Sequence, residues 1–230
     1  MIQNSAISAV KQAIGKIDMH DENTLIISID KSKNGDCILG LVASNGKQFK
    51  FLVTRSPLKS LRHYDDVTKE GDVVYKLRYL CNFYKRFRQI ERNNRSFIYW
   101  GIYDFTEKMK ADIRDNLLRE DKTTILIVDD EYVGEIREAI SDWTRAMFYQ
   151  LSPRYYSNEF THFEIHAWSK KKITDILIIQ EGFLHSNLKC HGKIYEDLYK
   201  FATITDNLAN YYRRWRLDNQ EPCKHYKQLL

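Results

Sequence analysis

Three aspartates stand where apolar runs meet polar sequence, and carboxylates gathered from separate elements are the arrangement in this chain that points to chemistry. Asp30 ends TLIISID, Asp129 ends TTILIVD, and Asp175 lies in ITDILII just after a basic run. One acid at a strand end does little alone. Several in one crevice repel one another, and a hard divalent cation with oxygen ligands, Mg2+ or Mn2+, offsets that repulsion. Two such ions ~4 Å apart activate a water and stabilise the leaving oxygen of a phosphodiester. Asp130 is placed to assist as a ligand. Each acid also has a plain structural reading. Asp129-Asp130-Glu131 before Gly134 suits a solvated loop that caps the next helix, and Asp175 suits the first turn of a helix.

The elements that must position these acids follow from the apolar spacing. Residues 24–53 read as a strand running into Asp30, a turn at Asn34-Gly35, and two strands joined at Asn45-Gly46, since Asn-Gly between strand-like runs is a hairpin signal. Val73 to Gln89 places Val73, Leu77, Leu80, Tyr84 and Phe87 on one helical face, with Lys85, Arg86 and Arg88 around the rest. The run at 123–128 suits a strand buried on both faces. A helix over 135–150 and a strand over 160–168 follow. Ile173 to Leu184 reads as a buried helix with Asp175 in its first turn. Residues 195–216 read as a last helix ending in YYRRWR, and residues 152–156 as a loop. A short amphipathic helix over 5–17 and another helical pattern over 105–118 complete the reading. In an open sheet, ligands bind in the crevice beyond the strand ends, where such acids would meet.

Composition sets the bounds. The 230 residues suit one domain, 1–230, with a helical insertion over 55–122. Only 9 Gly and 3 Pro argue against a linker-rich or repetitive chain, and a net charge of +5 permits nucleic-acid binding without requiring it. No CxxC pair occurs among the four cysteines, so neither a disulfide framework nor a zinc ribbon is indicated, and the expectation is a reduced, cytoplasmic protein. No run of apolar residues is long enough for a membrane span or a secretory leader.

The order of SIDKSKNGDCILGLV, then ILIVDDE, then ITDILIIQEGFL resembles the ribonuclease H-like superfamily, whose metal-binding acids sit on the first strand, the fourth strand and a late helix. Within it the chain is most similar to a poorly characterised, often mobile-element-associated family. That family has an Asp-Glu-Ser-Gly-type first-strand motif and a late Leu-Gln-x-Ala-Asp-type helix. Asp30 and Ser32 match its opening, Asp129 its middle and Asp175 its last element. Lys31 stands where the family has Glu, and Thr174 precedes the last Asp without the Leu-Gln pair, so Asp36, Asp130 or Glu131 would have to supply a missing ligand.

The expectation is an α/β protein with a mixed central sheet flanked by helices, ribonuclease H-like, acting as a metal-dependent nuclease. Asp30, Asp129 and Asp175 would be catalytic and, with Asp130, would bind metal. Lys170, Lys171, Lys172, Lys85, Arg86, Arg88, Arg213 and Arg214 would hold nucleic acid, DNA or RNA. The aromatic residues among these bases suit base stacking, and equally suit a core-facing helix whose cationic stems reach water. The alternatives are a non-catalytic nucleic-acid or protein binding module with a degenerate site, and an interaction protein with no nucleic-acid role. Glu164-x-His166 faintly resembles a restriction-type nuclease core. His185, Cys190, His191, Cys223 and His225 have metal-ligand chemistry but no recognised zinc spacing.

Overall fold

The computed structural model describes residues 21–34, 36–93, 98–103, 108, 110–111, 123–146, 150–157, 160–169, 171–187 and 193–224. The expected helix over 5–17, most of the helical pattern over 105–118, and Lys170 lie outside them.

The chain is α/β, with a mixed sheet flanked by helices. Strands β1 (Thr24–Asn34), β2 (Asp36–Asn45), β3 (Ile98–Tyr103), β4 (Thr123–Val128), β5 (Gln150–Ser157), β6 (Phe160–His166) and β7 (Lys172–Gln180) form one seven-stranded sheet in the order β3-β2-β1-β4-β7-β6-β5. The three central strands β1, β4 and β7 are parallel, and the flanking pairs are antiparallel. Helices α1 (Gly46–Thr54), α2 (Tyr64–Glu70) and α3 (Val73–Asn93) follow β2. Helix α4 (Val133–Ala146) follows β4, and α5 (Glu181–Asn187) and α6 (Lys193–Arg216) follow β7.

Parallel strands covered on both faces lose the alternation of a half-buried strand. Ile26, Ile125 and Leu177 pack with α1, α3 and α6 on one side, while Ile27, Leu126 and Ile178 pack with α4 on the other. This two-sided burial corrects the reading of residues 173–180. They are strand β7, because Ile173, Thr174, Ile176, Ile178 and Ile179 are β-branched and both of its faces are covered. Asp175 is therefore a strand residue and not part of a helix. Asn45-Gly46 is not a hairpin turn either. The Asn45 side chain accepts from Gln48 N at 2.8 Å and caps α1, whose Phe49, Leu52 and Val53 give it a buried helical stripe. The connection over 55–122 contains strand β3 as well as helices. Residues 150–157 are strand β5 and not a loop; Pro153 is tolerated because β5 lies at the sheet edge.

Helix α6 is buried along most of its length, with Asp197, Asp206, Asn207 and Asn210 among its enclosed side chains. It lies directly over β1 and β2. At Gly40, the residue paired with Asp30, a Cβ atom would sit 3.2 Å from the Thr205 carbonyl oxygen and 3.3 Å from Ala209 Cβ. Glycine here sets how close the helix comes to the sheet. Near its C-terminus α6 is tied further by a disulfide between Cys81 on α3 and Cys223, with Cα atoms 4.8 Å apart across 142 residues of sequence. Their separation hid the pair from any spacing rule, and the expectation of unpaired cysteines is corrected accordingly. Among the described residues no helix is long and apolar enough to cross a membrane.

Gly40→Ala should destabilise the fold by about 1–3 kcal/mol, since the clash is with helix backbone and not with a flexible side-chain end. Chemical denaturation measures this loss. Cys223→Ser should cost about 2–5 kcal/mol under oxidising conditions and little in the presence of reductant.

Candidate functional site

Register brings the strand-end acids together. Ile29 pairs with Val128 across β1 and β4, and Val128 pairs with Gln180 across β4 and β7. The next residue on each strand is Asp30, Asp129 and Glu181. Three carboxylates thus stand where the parallel pairing ends, the crevice where open α/β sheets take ligands; Asp30 does not end its strand as expected, because β1 runs on to Asn34 against β2. Asp206, on α6 above β1, adds a fourth. They line a cleft of about 690 Å³ together with Lys31, His63, Asp130, Glu131, Arg213 and Arg214.

The surroundings of Asp206 hold it in one orientation. Ser32 Oγ donates to Asn210 Oδ1 at 2.7 Å, and Asn210 Nδ2 donates to Asp206 Oδ1 at 2.8 Å. The other oxygen, Oδ2, accepts from Tyr64 N at 3.2 Å and lies 3.6 Å from His63 Nε2. That imidazole nitrogen is also 3.4 Å from Glu181 Oε1. Asp30 Oδ1 accepts from Lys31 N at 2.6 Å. One ligand atom each from Asp30, His63 and Asp206 lies within 4.8 Å of the others.

Electrostatics match this crowding. Burial pushes the Asp30 carboxyl well above its ordinary value, and the charges of Glu181 and Asp206 push it further. Burial likewise raises Asp206, to about 7, although the His63 charge opposes it. Burial alone would lower His63, but its hydrogen bond to Glu181 and the charges of Asp206 and Glu181 win and raise it to about 9. Its Nδ1 lies a long 3.4 Å from Asp65 N and can accept there only while the ring is neutral; the contacts with Glu181 and Asp206 favour the charged ring, which gives up that weak contact. Asp129 is raised by burial, partly offset by the Glu131 N–H and by Lys31. Lys31 lies 3.9 Å from Asp129 Oδ1 and closer still to Glu131. Asp129 also accepts from Glu131 N at 3.0 Å, so it caps the 3-10 turn Asp130–Tyr132 as well as facing the cleft.

Of the residues singled out from sequence, the structure brings Asp30, Asp129 and Asp130 to the cleft with Arg213 and Arg214. It does not bring Asp175. That residue precedes Ile176, which pairs with Thr124 at the start of β4, so it lies five residues down β7 from Gln180, roughly 16 Å along the strand. Lys172, at the start of β7, pairs with Asp175 at 2.6 Å, and Lys171 just precedes it, so neither lines the cleft. Lys85, Arg86 and Arg88 lie on α3. Arg86 lines a separate pocket of about 210 Å³ with Arg78 and Tyr79, and Arg88 pairs with Glu91 at 3.1 Å.

The site residues that sequence reasoning missed are Glu181, Asp206 and His63. Glu181 carried the same signal as Asp30 and Asp129, an acid just after a β-branched apolar run. Reading that run as helix concealed it. Asp206 carried a weaker one, an acid inside the apolar body of a helix. No spacing signal marked His63.

The donor set suits a hard divalent cation: clustered carboxylates, two of them at most about one-twentieth exposed, with the His63 charge balancing them. In chelator, stability should fall as pH rises. Folded Asp206 keeps its proton up to about 7 against an ordinary 3.8, so the unfolded chain binds fewer protons in that window. His63, raised from 6.5 to about 9, acts in the same direction, its contribution being lost as pH climbs through 9. Thermal melts across this range should show a decline that Asp206→Asn flattens below neutrality; a melting temperature that rises from pH 3.8 to 7 would contradict the assignment. Compared with known proteins, the chain matches no family model, no curated protein and no solved structure.

Proposed function

We propose that the protein is a ribonuclease H-like, divalent-metal-dependent enzyme that cleaves phosphodiester bonds in nucleic acid. The observation that carries this reading is the meeting of Asp30, Asp129, Glu181 and Asp206 in one cleft from the first strand, the fourth strand, the end of the last strand and the last helix. The strand order supports it: an antiparallel β3-β2-β1 unit beside parallel β4 and β7 carries an acid at each expected place. The late-helix acid in this scheme is Asp206 instead of Asp175.

Asp30 and Asp206 would hold the cation, with Glu181 and Asp129 completing its oxygen ligands. Mg2+ or Mn2+ supplies Lewis acidity at a phosphoryl oxygen and a nucleophile at neutral pH. The chain's own groups do the rest. Seven carboxylates line the cleft against Lys31, His63, Arg213 and Arg214, so a polyanion is repelled until a cation enters. Arg214, whose Nε donates to Tyr64 Oη at 2.8 Å, and Arg213 stand at the rim where flanking phosphates would lie. His63 offers the leaving oxygen a proton at Nε2.

A second reading has one observation in its favour. Lys31 occupies the flank of Asp129 and Glu131 with its own charge, as in a site that binds nucleic acid without cleaving it. Activity separates the two. With Mg2+ or Mn2+, the purified protein should cleave single- or double-stranded DNA or RNA and lose cleavage in EDTA. Asp30→Asn and Asp206→Asn should each lower the rate by on the order of a hundredfold or more, while Asp142→Asn on the exposed face of α4 leaves it unchanged. Salt-sensitive binding with no metal-dependent cleavage would overturn the enzyme in favour of the binding module.

A further inference from the structure

We propose that His162, Glu164 and Asp175, on neighbouring strands at the far end of the sheet from the cleft, form a second metal site that takes zinc. Glu164 and Asp175 are direct partners across the antiparallel β6–β7 ladder. Like charges placed opposite one another weaken a ladder, yet both are largely enclosed, with side-chain exposures of 16% and 19%. His162, two residues before Glu164 and so on the same face, brings Nε2 to 2.8 Å from Asp175 Oδ1. One ligand atom from each of the three lies within 4.8 Å of the other two. Zinc bonds of about 2.0–2.2 Å in tetrahedral geometry need donors a little over 3 Å apart, which small side-chain rotations supply.

An imidazole beside two carboxylates is a ligand set that Zn2+ accepts. His166 Nε2 lies 3.5 Å from Glu164 Oε2 and offsets its charge when protonated. Lys172 now balances Asp175 at 2.6 Å, and its half-exposed side chain can turn into solvent when the ion enters. A zinc ion here would staple β6 to β7 beside the irregularity between Ile165 and His166.

The test is calorimetric titration of ZnCl2 into the chelator-stripped full-length protein, with Co2+ absorption as a second readout of imidazole ligation. Zinc uptake should survive Asp30→Asn. His162→Ala and Glu164→Gln should each weaken it on the order of tenfold to a hundredfold, with circular dichroism showing that both variants stay folded. Absence of zinc uptake, affinity unchanged in both variants, or uptake abolished by Asp30→Asn would overturn the proposal. Absence of zinc uptake leaves cleavage at the Asp30 cleft untouched, and loss of cleavage leaves zinc uptake untouched, so the two readings fail separately.

Discussion

The structure depends on how closely α6 lies on the first two strands. Gly40 removes the side chain that would hold the helix away, and Thr205 and Ala209 settle against it. Asp206, between those two residues, is thereby pressed toward Asp30 in space that water hardly reaches. Two buried carboxylates with Glu181 nearby form an arrangement that folding by itself disfavours. Each compensating feature belongs to the site: the His63 ring between Glu181 and Asp206, the Tyr64 N–H, and the Ser32–Asn210 relay that fixes the Asp206 oxygens. The proposed cation would offset the same repulsion.

Sheet topology supplies the other half. With β1, β4 and β7 parallel and adjacent, their carboxyl ends share one edge, and the residue after each apolar run faces one cleft. The remaining strands extend the sheet on both sides. Arg213 and Arg214, about two turns beyond Asp206 on α6, return positive charge to the rim. The opposite end of the sheet gathers different chemistry, with His162, Glu164, Asp175 and Lys172 in cross-strand contact.

Much of this was legible in the residues because burial on both faces leaves a plain mark. The β-branched runs before Asp30 and Asp129 announced central strands, and the acids that follow those runs announced the crevice, although β1 continues past Asp30 to Asn34. The same mark before Glu181 was misread, since a short, largely buried apolar run fits a helix as readily as a strand until its neighbours are known. That error moved Asp175 into the site and left Glu181 out. Asp206 was hidden for a related reason: α6 is enclosed on nearly every side, so no polar face set its acids apart. Asn45-Gly46 carries both a turn signal and a cap signal, and only the packing of Phe49 and Leu52 decides between them. Cys81 and Cys223 meet through the tertiary fold alone.

The central claim is that Asp30 and Asp206 share a divalent cation. Anomalous diffraction from crystals grown with Mn2+ tests it at the atoms concerned. The account predicts an anomalous peak between the Asp30 and Asp206 carboxylates, with His63 moved from its present contact with Asp206, and no peak there in Asp206→Asn. A fully ordered cleft at millimolar Mn2+ with no peak, or with His63 still bridging Glu181 and Asp206, would contradict it.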